Sequence, residues 1–125
     1  LGGRRIIKKV IKDLNKTLKT ELVDVFHNGE KVYVVPKKLN KGMAVKRLRK
    51  KMNPGYILAA GDSEFDVSMV EESDFGCVPD GFGKMFRLKE DLKEDLKENV
   101  MEMESGKLFS EALLEKCLKK EAELT

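Results

Sequence analysis

The chain has 125 residues, enough for one modest domain and too few for two ordinary ones. A hydrophobic share of 41% is that of a globular protein, and no apolar run approaches the length that would span a membrane. The net charge of +3 conceals an asymmetry. Residues 1–53 carry 16 Lys and Arg against 4 Asp and Glu, whereas residues 54–125 carry 9 against 18, so the halves stand near +12 and −9. Charge alone does not choose between a nucleic-acid face and a fold with one half made for phosphate and the other for a metal.

No signal peptide is visible. Cys77 and Cys117 have no paired spacing and no His beside them, which reads as two reduced thiols in a cytoplasmic protein rather than a metal site or a disulfide.

In chain order, Ile6, Ile7, Val10, Ile11, Leu14 and Leu18 recur at helical spacing with Lys between them, predicting an amphipathic helix over 3–18 with one buried stripe. Two β-rich runs, 21–26 and 31–35, flank His27-Asn28-Gly29-Glu30. Asn-Gly there predicts a hairpin whose two central residues have positive φ. Pro36 stops the second run. Asn40 is a plausible cap for a helix that buries Val45, Leu48 and Met52 and ends at Pro54-Gly55. "YILAA" (56–60) has no alternation, as expected of a strand covered on both faces of a parallel sheet. A helix over 63–72 and a buried strand "FGCVP" (75–79) follow. The fold class is therefore α/β, with helices and strands alternating from residue 37.

Beyond Pro79, "DGFGKM" reads as a loop. "LKEDLKEDLKEN" is a short repeat that aligns Leu88, Leu92 and Leu96 on a solvated helix. "VMEME" is a candidate strand, and "KLFSEALLEKCLKK" a closing amphipathic helix.

The segment "YILAAGDSEFDVSM" (56–69) carries the chemistry. Ligands of an open parallel sheet bind beyond the carboxyl ends of its strands, where Gly61 and Asp62 lie. Asp62 and Asp66 are four apart, so both carboxylates can face one small volume. Two such acids repel unless a cation joins them, and hard oxygen ligands suit Mg²⁺. The alternative is that Asp62 only caps the helix and Asp66 is solvated; spacing does not choose. Upstream, Lys41 sits between a capping Asn and Gly42 at a helix N-terminus, where free N–H groups and the dipole favour a phosphate. The plainer alternative is one more surface lysine.

Together, "VPKKLNKGMAVKRLRKKM" and "YILAAGDSEFDVSM" resemble the Lys motif and the Gly-Asp-x-x-x-Asp motif of the haloacid dehalogenase superfamily of phosphatases. The likeness is greatest to the Cof-type and sucrose-phosphate phosphatase-like branch with a large α/β cap. It covers roughly residues 35–80. It implies that residues 1–36 are the last helix–strand–strand unit of the cap, and residues 37–125 the C-terminal part of a Rossmann-like core. It implies a Mg²⁺-dependent phosphatase of small phosphorylated metabolites such as sugar phosphates. An aspartate attacks phosphorus and the aspartyl-phosphate is then hydrolysed. Asp62 and Asp66 would be the metal acids, Asp66 directly or through water. Lys41 would be the catalytic lysine and, with Gly42, a phosphate contact.

Two departures stand out. Phe65 occupies a position where the branch usually has Asn. The nucleophile segment, Asp-x-Asp-x-Thr, is not found. Asp13, Asn15 and Thr17 reproduce its spacing, but Lys12 precedes the acid and the surrounding pattern is helical. The expectation is a C-terminal part without its nucleophile, inactive alone, with an open edge on "YILAA" that needs a partner: the N-terminal part of the same protein, or a second copy. The rival reading is a basic module on Lys46, Arg47, Arg49, Lys50 and Lys51 that binds nucleic-acid phosphates. It lacks aromatic residues interleaved among the basic ones.

Overall fold

A computed structural model describes residues 2–83 and 99–125; the repeat at 88–98 lies outside them. Two layers are built in chain order. The first is helix α1 (Gly2–Thr17) packed on the antiparallel hairpin β1 (Val23–Asn28) and β2 (Lys31–Pro36). The second is a parallel sheet of β3 (Leu58–Ala60), β4 (Phe75–Pro79) and β5 (Val100–Met103), in that order across the sheet. Its helices are α2 (Lys41–Met52), α3 (Val67–Glu71) and α4 (Lys107–Leu124). The chain is α/β, as its pattern predicts. Among the described residues no helix is long and apolar enough to cross a membrane.

Residues 2–17 form one continuous helix, so Asp13 lies on an exposed helical surface and not at a strand end. Ile7, Ile11, Leu14 and Leu18 turn toward the hairpin, while Ile6 and Val10 stay exposed, so only part of the expected stripe is covered. The hairpin turn is shifted by one residue from expectation. Asn28 pairs with Lys31 as part of the ladder, leaving Gly29 and Glu30 at the centre. Gly29 has φ +57°, and Asn53 is the one non-glycine residue with positive φ among those described. A leading glycine followed by a residue of negative φ is the pattern of a type II′ turn, not the doubly positive Asn-Gly turn.

α2 also keeps the expected period but not the expected phase. Its covered positions are Gly42, Met43, Val45 and Arg49, whereas Leu48 and Met52 are exposed. The reason is α3. A Cβ on Gly42 would lie 2.5 Å from the Ser68 carbonyl oxygen, so only glycine lets α2 approach this closely. Arg49 then donates to the Glu72 carbonyl (3.2 Å) and to Asp74 Oδ2 (3.1 Å), tying α2 to the entry of β4.

β4 is central and is covered at Gly76, Cys77 and Val78. Val70, Val78 and Phe82 form the core, with Val67 and Val100 packed against it. Phe82 is fully buried, so "DGFGKM", read as a loop, delivers the largest core side chain. β3 has only three residues and pairs with β4 alone among the described strands, which places it at a sheet edge. The expected helix over 63–72 divides into a 3₁₀ turn (Glu64–Asp66) and the short α3.

Candidate active site

Asn40 is the N-cap of α2: its Oδ1 accepts from the Met43 N–H at 2.8 Å, and its Nδ2 donates to the Lys37 carbonyl at 2.9 Å. This fixes Lys41 as the first helical residue, with its side chain half exposed. From there the Lys41 ammonium reaches Asp66 Oδ1 across 25 positions of sequence.

The other oxygen of Asp66 explains the Gly-Asp motif. Oδ2 accepts three donors, the Asp62 N–H, the Ser63 N–H and the Ser63 hydroxyl, each at 3.0 Å. Asp66 thus folds back over its own loop and closes the turn between β3 and α3. A Cβ on Gly61 would lie 2.2 Å from the Asp66 Cβ, so the glycine is required by this return. Asp66 is 4% exposed. Burial pushes its pKa up, but the Lys41 ammonium and the donors of Ser63 and Asp62 outweigh burial and hold it below the ordinary aspartate value.

Asp62 is different. Its side chain is exposed, and among the described residues its carboxylate makes no hydrogen bond or ion pair. It borders, with Lys41, Gly61 and Asp66, a cavity of about 780 Å³ at the carboxyl ends of β3 and β4. The sequence-based candidates Lys41, Asp62 and Asp66 therefore meet in one place. Gly42 does not line the cavity; its N–H donates to Ser68 Oγ at 3.1 Å, which commits it to the contact with α3. Ser105, just before α4, and Ser110, in its first turn, also line the cavity. They escaped the sequence reading because no local pattern relates them to the motifs; the β4–β5 pairing brings them there.

Phe65 faces the other way. Its ring centroid lies 5.0 Å from Phe26 and 5.1 Å from Tyr33, and the neighbouring Glu64 accepts from the His27 N–H at 3.4 Å. The residue that departs from the resembling branch thus docks the hairpin on the acidic turn. A second cavity, about 490 Å³, lies between hairpin and core and is bordered by Phe26, Leu39, Phe65 and again Lys41. Two ring contacts of this kind contribute about 1 kcal/mol each. Phe65→Ala should therefore speed amide hydrogen exchange in β1 and β2 by about tenfold or more relative to β4. Unchanged relative exchange would show that other contacts hold the hairpin.

Two of the five basic residues of the rival nucleic-acid reading are committed inside the fold. Lys46 pairs with Glu72 at 3.0 Å, and Arg49 with Asp74 at 3.1 Å.

Among the described residues no three His, Cys, Asp or Glu side chains converge as a metal cluster. The donor set still fits Mg²⁺ in one respect. A free, exposed carboxylate on a strand-end cavity is the kind of ligand a Mg²⁺ ion uses once or twice while it keeps several waters. Asp62 has such a carboxylate, whereas both oxygens of Asp66 are already taken by Lys41 and by the donors of Asp62 and Ser63.

No curated protein and no solved structure matches the chain. The family model described as sucrose-6F-phosphate phosphohydrolase matches residues 3–102, a span that includes the hairpin, Lys41, the Gly-Asp turn and β4. The chain belongs to that family of sugar-phosphate phosphatases within the haloacid dehalogenase superfamily.

Proposed function

We propose that Lys41, Asp62 and Asp66 form the charge-stabilising part of a Mg²⁺-dependent phosphomonoesterase acting on a small phosphorylated sugar. The observation that carries this reading is the Lys41–Asp66 pair at the rim of a cavity that also holds the free carboxylate of Asp62. Residues 1–36 act as cap and residues 37–125 as core, with the sugar held between hairpin and core and the phosphate at Lys41.

In such a reaction a carboxylate oxygen attacks phosphorus, the bond to the sugar oxygen breaks, and water later cleaves the aspartyl-phosphate. Catalysis rests on neutralising charge on the transferring group. Lys41 supplies one fixed positive charge. Asp66 keeps that ammonium in place and holds the turn on which Asp62 stands. When bound at Asp62, Mg²⁺ would supply the second positive charge. Asp13, which reproduces the spacing of the nucleophile segment, sits on the exposed surface of α1 and does not line this cavity.

Two results are expected. The 125-residue chain alone should not turn over a generic aryl phosphate with Mg²⁺; steady turnover abolished by Asp13→Asn would make Asp13 the nucleophile. In the catalytically competent protein, Asp62→Asn should weaken Mg²⁺ binding by about tenfold or more, the loss of one of its few carboxylate ligands. Calorimetry reads this directly, and unchanged affinity would remove Asp62 from the metal site.

A further inference from the structure

We propose that α1 of one copy of this protein docks on α4 of a second copy. The two helices carry complementary faces that have no partner among the described residues. On α1, Arg4, Arg5, Lys8, Lys9, Lys12 and Lys16 all lie exposed on one contiguous arc of roughly 140° at 3.6 residues per turn. None of the six makes an ion pair or side-chain hydrogen bond among the described residues, and Asp13 is the single acid of the helix. On the shoulder between this arc and the face packed on the hairpin, Ile6 (64%) and Val10 (39%) are open to solvent.

α4 presents the counterpart. Its inner side is fixed by Lys116 over the Phe75 ring (4.5 Å) and Lys120 over the Tyr56 ring (4.6 Å). The opposite side carries Leu114 (61%) and Leu118 (56%), flanked by Glu111, Glu115 and Glu121. These three acids are exposed, and their side chains have no partner among the described residues.

The spacing matches as well as the sign. Ile6 and Val10 are four apart, as are Leu114 and Leu118, so each pair forms one ridge of a helix surface and the ridges can interleave. Each apolar pair is flanked by a charged pair at the same interval, Arg5 and Lys9 on α1, Glu111 and Glu115 on α4. An apolar ridge between two opposed charge rows gives a contact with a defined partner and a strong dependence on salt. A nucleic acid would satisfy the cations of α1 but would leave Ile6, Val10 and the whole outer face of α4 unexplained. A second copy accounts for all of them.

The test is sedimentation equilibrium of the full chain at low and high ionic strength, with the fold of each variant checked by circular dichroism. Average mass should rise with concentration at low salt and fall toward the monomer at about 0.5 M salt, where screening shortens to a few Å. Arg5→Glu with Lys9→Glu, and separately Glu111→Lys with Glu115→Lys, should each weaken association by about tenfold or more. Mixing the two double variants should restore it, because the reversed α1 of one then meets the reversed α4 of the other. A monomer under every condition would overturn the proposal. So would association that ignores salt or the reversals, or reversals that the mixture does not rescue. Loss on α1 reversal alone, with tight binding of a duplex oligonucleotide, would assign the basic arc to nucleic acid instead.

Discussion

Lys41→Ala in the catalytically competent protein should lower turnover by about a thousandfold while leaving the fold intact. The size follows from position. A lysine at the first turn of α2 adds its charge to the positive end of the helix, so a transferring phosphoryl group meets two favourable terms in one place. Removing a fixed donor from a closed site costs about 3–4 kcal/mol of transition-state stabilisation. The cost in folding should be much smaller. The Lys41 side chain is 54% exposed, so its pairing with Asp66 is screened by water and contributes about 1 kcal/mol or less. Steady-state kinetics and a urea titration on the same preparation separate the two effects. Turnover within about threefold of the unsubstituted protein would make Lys41 one more surface lysine.

Asp66→Ala should be the opposite case, a variant that loses stability and activity together. The carboxylate holds two segments at once. Oδ2 satisfies the N–H groups of Asp62 and Ser63 and the Ser63 hydroxyl, and Oδ1 holds Lys41. Its removal leaves these donors of the turn without their acceptor, at about 1–3 kcal/mol for such groups. A loss of about 2–3 kcal/mol is expected, because Ser63 is only half buried and water can replace part of what is lost. Activity should fall as far as in Lys41→Ala, since the ammonium loses its tether and Asp62 its fixed backbone.

The pH profile gives a second reading. Asp66 has a folded pKa below its unfolded value of 3.8, so it contributes stability that is fully present above pH 3.8. That contribution is lost as pH falls from 3.8 through the lower folded value. Asp66→Asn should flatten this part of the stability curve. An acid limb identical to that of the unsubstituted protein would mean that other carboxylates set it.

The parts of the fold written in nearest-neighbour chemistry were legible in the sequence. The apolar spacing of 6–18, the capping Asn40, the arrest at Pro54-Gly55 and the unbroken apolar run of "FGCVP" each act within one element, and each appears where expected. The errors came where a distant element decided. Leu48 and Met52 fit a buried stripe by period, but Gly42 and Arg49 set the phase of α2 through α3 and Asp74. Phe82 sits among turn residues and is buried because Val70 of α3 and Val78 of β4 pack with it, with Val67 and Val100 against them.

The site divides in the same way. Lys41, Asp62 and Asp66 were visible as a motif, and their convergence follows from strand-end geometry. Their division of labour was not. Nothing in the spacing tells that Asp66 turns inward to Lys41 while Asp62 faces outward, because that depends on how closely Asp66 approaches Gly61. Phe65, conspicuous as a departure, became intelligible only with Phe26 and Tyr33 beside it.

The central claim is that phosphate is held at Lys41 beside a Mg²⁺ ion on Asp62. The most direct measurement is NMR of the competent protein, labelled at lysine Nζ and backbone nitrogen and titrated with inorganic phosphate with and without Mg²⁺. The account predicts a saturable shift of the Lys41 Nζ resonance, with the amides of Gly61, Asp62 and Ser63 moving in step and with Mg²⁺ tightening the response. Saturation of the protein with phosphate while the Lys41 and Gly61–Ser63 signals stay still would contradict it.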